Sequence, residues 1–157
     1  MAVFEFSIIA SGLDPQDPNF ESQFLEAGCD DATISYQRGH IIVDFSREAN
    51  SIEVAMDTAV RDVLSVGAKV ERVEPDPLVS LSDIADRSGK TRQAISLFAQ
   101  GTRRAGFPAP IARVTSSSPL WDWAEVAEWF HQNGHLSGEV VKVARALTAI
   151  NASLGAR

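Results

Sequence analysis

An α+β chain is what the sequence predicts, with two domains and a closing helix, and three observations predict it. Over residues 1–74 the apolar pattern switches between period two and helical spacing in the order βαββαβ. Two prolines in Glu74-Pro75-Asp76-Pro77 then stop the last strand. Beyond them, residues 80–106, SLSDIADRSGKTRQAISLFAQGTRRAG, read as two short amphipathic helices hinged at Ser88-Gly89-Lys90.

Residues 3–9, VFEFSII, put Phe4, Phe6 and Ile8 on one side, the alternation of a half-buried strand. Asp14-Pro15-Gln16-Asp17-Pro18 breaks it, and Asp17 or Asn19 opens a helix with Phe20, Phe24 and Leu25 on one face, ending near Gly28. Ala32 to Tyr36 is a strand with Ile34 and Tyr36 inward. Arg38-Gly39 makes a tight hairpin, and Ile41, Val43 and Phe45 return as the partner strand. Ser51 caps a longer helix whose buried stripe is Ile52, Ala55, Met56, Ala59, Val60, Val63 and Leu64. After Gly67, Ala68 to Val73 is a charged strand suited to a sheet edge. This order is that of a ferredoxin-like split βαβ unit over residues 1–74, with helices on one sheet face. The other face carries Val3, Ile9 and Ile42 and is open to dimerisation, a protein partner or a small effector. Residues 75–78 are a Pro-rich linker.

In the second half, Ser82 is the expected cap of the first helix, and Leu81, Ile84 and Ala85 form its apolar face. Gly89 supplies the positive φ of a sharp turn. Thr91 caps the second helix, which buries Ile95, Phe98 and Ala99. Arg92, Gln93, Ser96 and Gln100 lie opposite, able to bond base edges or phosphates. Ala85, Gly89 and Ile95 fall at helix-turn-helix spacing; a plain helical hairpin in an all-α core is the competing reading. Ile111–Val114 and Pro119–Trp123 read as two strands of a wing around the tip Thr115-Ser116-Ser117-Ser118. A following helix brings Val126, Trp129 and Phe130 over the two-helix unit, so residues 79–134 close as a winged helix-turn-helix domain. Trp121, Trp123 and Trp129 are expected in its core rather than as base-stacking platforms. A last helix, 137–154, carries Val140, Val143, Ala144, Leu147, Ile150 and Leu154, a stripe that the chain itself or another subunit must cover.

Charge narrows the function. The net value over 157 residues is −7, yet it is unevenly spread. Residues 1–77 hold 5 basic and 15 acidic side chains, net −10; residues 78–118 hold 6 basic and 2 acidic, net +4; residues 119–157 hold 3 and 4, net −1. The positive field surrounds the two-helix unit, where a phosphate backbone would meet it, and its modest size suits a binder working in two copies. Cys29 is the sole cysteine, which excludes an internal disulfide, fits a reducing cytoplasm and is most simply a buried thiol. No stretch reads as a secretory leader or a membrane span. Asp30-Asp31 reads as loop and strand-start chemistry and His40 as a surface residue. With no phosphate-loop glycines, metal-ligand cluster or paired catalytic carboxylates, neither an enzyme nor a cofactor is expected.

Residues 79–131 resemble the MerR-like winged helix-turn-helix superfamily, in particular the small phage excisionase and AlpA-type regulators. The residues that carry the likeness are Ser82-Asp83-Ile84-Ala85, Gly89, and Thr91-Arg92-Gln93-Ala94-Ile95-Ser96. Phe107-Pro108-x-Pro110 and Trp123-x-Glu125-Val126-x-x-Trp129 add to it. The resemblance implies sequence-specific binding of double-stranded DNA, with the second helix in the major groove. It implies that Thr91, Arg92, Gln93 and Ser96 face bases or phosphates and that Lys90, Arg103, Arg104 and Arg113 face phosphates. Gln100 and Ser116 complete the candidate set. MerR-type proteins dimerise through a helix after the winged domain, which assigns Val140, Val143, Leu147, Ile150 and Leu154 to dimerisation by analogy. Two features depart from the pattern: the wing tip is Ser-rich where a basic residue is common, and the acidic N-terminal domain has no counterpart in those regulators. The expected function is a cytoplasmic transcriptional regulator that binds operator DNA as a homodimer. An antitoxin-like protein, whose acidic domain grips a partner while the rest autoregulates its operon, is the alternative. A nucleic-acid enzyme or RNA binder stands third, since it lacks a catalytic constellation.

Overall fold

The computed structural model describes residues 1–101 and 105–155. The chain is mixed α+β and forms two compact units, one of Met1–Pro75 with the residues from Ala149 onward, the other of Asp76–Thr148.

The first unit runs β1 (Ala2–Ser11), α1 (Phe20–Glu26), β2 (Ala32–Gln37), β3 (His40–Ala49), α2 (Ile52–Ser65) and β4 (Lys69–Glu74), the βαββαβ order that the sequence predicts. Its sheet has the strand order β2-β3-β1-β4, with every neighbouring pair antiparallel. The β2–β3 turn places Arg38 at φ 51° and Gly39 at φ 81°, the left-handed pair that matches the twist of a two-residue hairpin. Ser51 caps α2 by accepting a bond from the Val54 N–H at 3.2 Å. Phe6, Ile8, Ile41, Val43 and Phe45 of the sheet are buried, as are Phe20 and Phe24 of α1 and the α2 stripe from Ile52 to Val63.

Three expected core residues are exposed instead. Leu25 follows Phe24 by 100° around a seven-residue helix, and Leu64 follows the fully buried Val63 in the same way, so each falls on a flank. Tyr36 sits near the end of the edge strand β2, at 48% exposure. Conversely, two polar side chains are buried. Arg47 on β3 donates to Asp31 through Nε at 2.8 Å and Nη2 at 3.0 Å, to Asp62 through Nη1 at 2.9 Å and to the Gly28 carbonyl at 2.8 Å. Asn151 accepts from the Val73 N–H at 2.8 Å and donates to the Val73 carbonyl at 2.9 Å. It thereby pairs both backbone groups of one β4 residue, as a neighbouring strand would.

The second unit contains β5 (Leu78–Val79), α3 (Leu81–Ser88), α4 (Arg92–Ala99), β6 (Trp121–Asp122), α5 (Trp123–Gln132) and α6 (Gly138–Ser153) up to Thr148. Val79, Ile84, Ile95, Phe98, Val126, Phe130 and Val141 form one core cluster, so α5 does lie over the two-helix unit. The expected linker of 75–78 is shorter, because Leu78 already belongs to β5, which pairs antiparallel with β6. The two strands expected for a wing do not form. Ile111–Val114 is no strand: Ala112 makes a single bridge to Leu120, and Ile111 and Val114 are 54% and 60% exposed. With no surface to bury those side chains, the segment has nothing to hold it in a longer ladder.

The tail stripe is largely covered within the chain. Val140 packs against the second unit's core and Leu147 is 3% exposed. Val143, Ile150 and Leu154 are half-buried. The residues that face inward most fully are Val141, Ala144, Leu147 and Asn151, and a polar residue ending that row is what hides it from a purely apolar count.

Candidate nucleic-acid interface

α3 begins one cap earlier than expected. Ser80, not Ser82, is its N-cap: the Ser80 hydroxyl accepts from Asp83 N–H at 3.2 Å, and the Asp83 carboxylate accepts from Ser80 N–H at 3.0 Å. This reciprocal box outcompetes Ser82, leaving the Ser82 hydroxyl exposed on the first turn. Gly89 then takes the left-handed conformation at φ 72° and sends the chain into α4. Thr91 caps α4 by accepting from the Ala94 N–H at 3.1 Å. Ile95 and Phe98 anchor α4 inward.

That anchoring fixes which side of α4 faces solvent. Arg92, Gln93 and Gln100 are exposed, with Ser96 half-buried between them and 3.4 Å from the Gln100 amide nitrogen. Ala99, expected inward, is exposed. Thr91 is exposed too, but its oxygen is committed to the cap. Lys90 is half-buried in the turn, its N–H bonded to the Ala85 carbonyl at 3.1 Å. Arg92 reaches back across the hinge, donating from Nη1 to the Ser82 hydroxyl at 3.1 Å. Ser80, Ser82, Arg92, Ser117 and Ser118 line a cleft of about 190 Å³. The hydroxyls that accompany Arg92 are not among the sequence candidates, although the loop tip is visibly rich in them: Ser116, Ser117 and Ser118 follow Thr115.

The wing candidates fare differently. Arg113 is exposed at φ 53°, so it projects from a turn rather than from a strand. The Ser116 hydroxyl donates to the Arg113 carbonyl at 2.8 Å and accepts from the Ser118 N–H at 3.1 Å. Ser116 therefore closes the tip upon itself. Arg103 and Arg104 lie outside the described residues.

The aromatics are structural. Phe98, Phe107, Trp129 and Phe130 pack with ring centroids 5.1 to 6.4 Å apart. Trp121 and Trp129 satisfy their indole N–H groups on the carbonyls of Pro108 at 2.9 Å and Ala105 at 3.2 Å. The Arg87 guanidinium covers the Trp123 ring at 5.3 Å. Buried rings with saturated N–H groups have no free face for a base.

Among the described residues, no group of three or more His, Cys, Asp or Glu side chains is arranged to hold a metal ion. No helix there is long and apolar enough to cross a membrane. Cys29 is fully buried, and burial with the nearby Asp62 carboxylate pushes its thiol up to about 11. No family model, curated protein or solved structure matches the chain.

Proposed function

We propose that this chain is a sequence-specific DNA-binding transcriptional regulator that reads operator DNA through α4 of a winged helix-turn-helix, as a homodimer in the cytoplasm. In this reading the first unit is a ferredoxin-like domain that contributes dimerisation, partner or effector binding. The observation that carries the proposal is the first turn of α4. Arg92 and Gln93 are exposed there on a capped helix whose other side is pinned by Ile95 and Phe98. They lie in the one basic section, net +4, of an acidic chain. Guanine and adenine are the natural bidentate partners of these two side chains. The positive charge is small for a protein that neutralises many phosphates, which favours two copies on a two-fold operator.

The test is selection of bound fragments from random duplex DNA, followed by gel shifts. Symmetric half-sites are expected. Arg92→Ala is expected to cost about 1–3 kcal/mol and to relax specificity at one base. A variant that bound every site as the parent does would sink the assignment of α4 as the reading element.

One observation favours a second reading. The −10 carried by residues 1–77 is unfavourable beside DNA and complementary to a basic protein. An antitoxin-like protein would use the first unit to hold such a partner and the second to bind its own operator. Purification of the tagged chain from its native host separates the two, because a stoichiometric basic partner is required by this version alone.

A further inference from the structure

The first unit's sheet ends in two edges, β2 and β4, and the chain treats them differently. β4 is defended. Four of its six residues, Lys69, Glu71, Arg72 and Glu74, are charged. Its pairing with β1 shifts register at Ile9–Ala10, and Asn151 occupies both backbone groups of Val73. Charges, bulges and a covering group are the usual means of keeping a strand edge from recruiting another strand. β2, Ala32-Thr33-Ile34-Ser35-Tyr36-Gln37, has none of them. It holds no charge and no proline, within a section of net −10, and its pairing with β3 runs without a shift. Thr33, Ile34 and Tyr36 are of the β-branched and aromatic kinds that favour strands.

The backbone of β2 is bonded from one side. The Ser46 N–H donates to the Asp31 carbonyl at 3.0 Å, so odd-numbered positions turn toward β3. Alternation along an antiparallel pair then turns the N–H and carbonyl groups of Ile34 and Tyr36 away from β3. The Ala32 carbonyl points the same way, while its N–H donates to the Cys29 carbonyl at 3.2 Å. Side chains follow the same rhythm. Ala32, Ile34 and Tyr36 stand opposite the buried Phe45, Val43 and Ile41, on the core side of the sheet. Ile34 is nonetheless only half-buried and Tyr36 is exposed, because β2 is an outermost strand.

We infer that β2 pairs antiparallel with β2 of a second copy of this chain, about a two-fold axis at Ile34, and joins two sheets into one. The two Ile34 residues then exchange both of their backbone bonds, and each Tyr36 N–H reaches the partner's Ala32 carbonyl. On the core side Ile34 meets the partner's Ile34, and the Tyr36 ring covers the partner's Ala32. Charge selects this occupant. Antiparallel self-pairing brings Asp30, before the start of one strand, toward Arg38, after the end of the other, and does so at both ends of the ladder. Two copies of an acidic unit repel elsewhere, and the uncharged strand is where they approach at least cost. A six-residue ladder is short for a lasting interface, so the dimer is reversible in solution. Two half-sites on DNA add the remainder through effective concentration. The proposal deepens the regulator reading, on whose homodimer it rests, by giving that dimer its interface.

The test uses the full chain without DNA. Sedimentation across a concentration series measures self-association, and hydrogen exchange read by amide NMR at the same concentrations locates it. The expected result is a monomer–dimer equilibrium in which the Ile34 and Tyr36 amides gain protection with concentration. Those of Ser35 and Gln37, bonded to β3, should be protected throughout. This comparison needs no variant. Tyr36→Pro deletes an outward N–H and leaves the β3 ladder intact, so it should weaken dimerisation at least about tenfold. Ile34→Lys and Ile34→Glu each set like charges opposite one another at the axis and should give monomers, whereas an equal mixture of the two should dimerise again. Circular dichroism checks that each variant keeps its sheet.

The inference is overturned by a monomer at every concentration up to about 1 mM, or by a dimer whose Ile34 and Tyr36 amides exchange as they do in the monomer. It is equally overturned by a folded Tyr36→Pro chain that dimerises as the parent does, or by folded Ile34 variants that stay monomeric when mixed. Protection of these amides only on addition of another polypeptide would make β2 a peptide-binding edge instead. None of these outcomes bears on contact between α4 and DNA. A failed ladder leaves the reading element standing, and a failed operator selection leaves the ladder.

Discussion

Arg47 and Asn151 in the first unit, and Phe98 with its three aromatic neighbours in the second, occupy similarly buried positions with opposite chemistry. Arg47 spends its donors on Asp31, Asp62 and the Gly28 carbonyl, and Asn151 completes the hydrogen bonding of β4 at Val73. In the second unit the interior is aromatic, and the polar residues of α4 are left on its outer side. The difference separates polar residues that hold a fold from polar residues able to hold a ligand. A guanidinium saturated from within has no donor to offer, whereas Arg92, bonded to an exposed hydroxyl, can exchange that bond for a phosphate or base at little cost.

The largest expected effect breaks the aromatic half of the comparison. Phe98 contacts Phe107, Trp129 and Phe130 and is 4% exposed. Phe98→Ala is expected to destabilise the second unit by about 3–5 kcal/mol. All three tryptophans lie in that unit, so their fluorescence during urea unfolding reports on it selectively. An unchanged midpoint would show that the cluster repacks around the loss.

The polar half breaks more gently. Arg47→Met removes the partner of two carboxylates whose side chains remain 30% and 31% exposed. Solvent reaches both, so the expected cost is about 2–3 kcal/mol, below that of breaking a fully buried pair. Far-ultraviolet circular dichroism at rising urea should show an earlier loss of sheet signal, while the tryptophan transition keeps its midpoint. If both transitions moved together, the two units would unfold as one.

These same residues mark how far the sequence is legible. Period-two and helical patterns place every strand and helix of the first unit, because apolar side chains there repeat with the geometry of the elements that bury them. Arg47 escapes that reading: it shares the phase of the buried Ile41, Val43 and Phe45, but an arginine adds nothing to an apolar pattern, and what lets it sit there is its pairing with the distant Asp31 and Asp62. Asn151 escapes for the same reason: its partner, Val73, is 78 residues away. In the candidate interface, Gly89 and the Thr91 cap are readable because turn and cap chemistry are local. The Ser80 cap is masked by Ser82, though Asp83 three residues on is the signal of a capping box. Two short apolar runs suggest a two-stranded wing that does not form, because Ile111 and Val114 stay exposed while Trp121 of the second run is buried and pairs with Val79 of β5 instead. The cleft joining Ser82, Arg92 and Ser117 is beyond reach, since contact between a helix start and a loop tip is set by tertiary packing and leaves no periodic trace.

The smallest effect concerns a group that belongs to neither kind, the buried thiol of Cys29. Its folded-state value is raised from 9.0 to about 11, chiefly by burial and then by the charge of Asp62. A raised value means that the folded chain holds the thiol proton more tightly than the unfolded chain does. The stability this supplies is complete below about pH 9 and is lost as the pH climbs toward about 11. The unfolding midpoint of the first unit should therefore fall across that window, and Cys29→Ala should flatten that part of the profile while lowering stability at pH 7 through the lost packing. Alkylation of the native thiol at pH 8 should be slow and should accelerate in urea in step with loss of the sheet. Rapid alkylation of the native chain would place Cys29 in a reactive setting and end its reading as a packing residue.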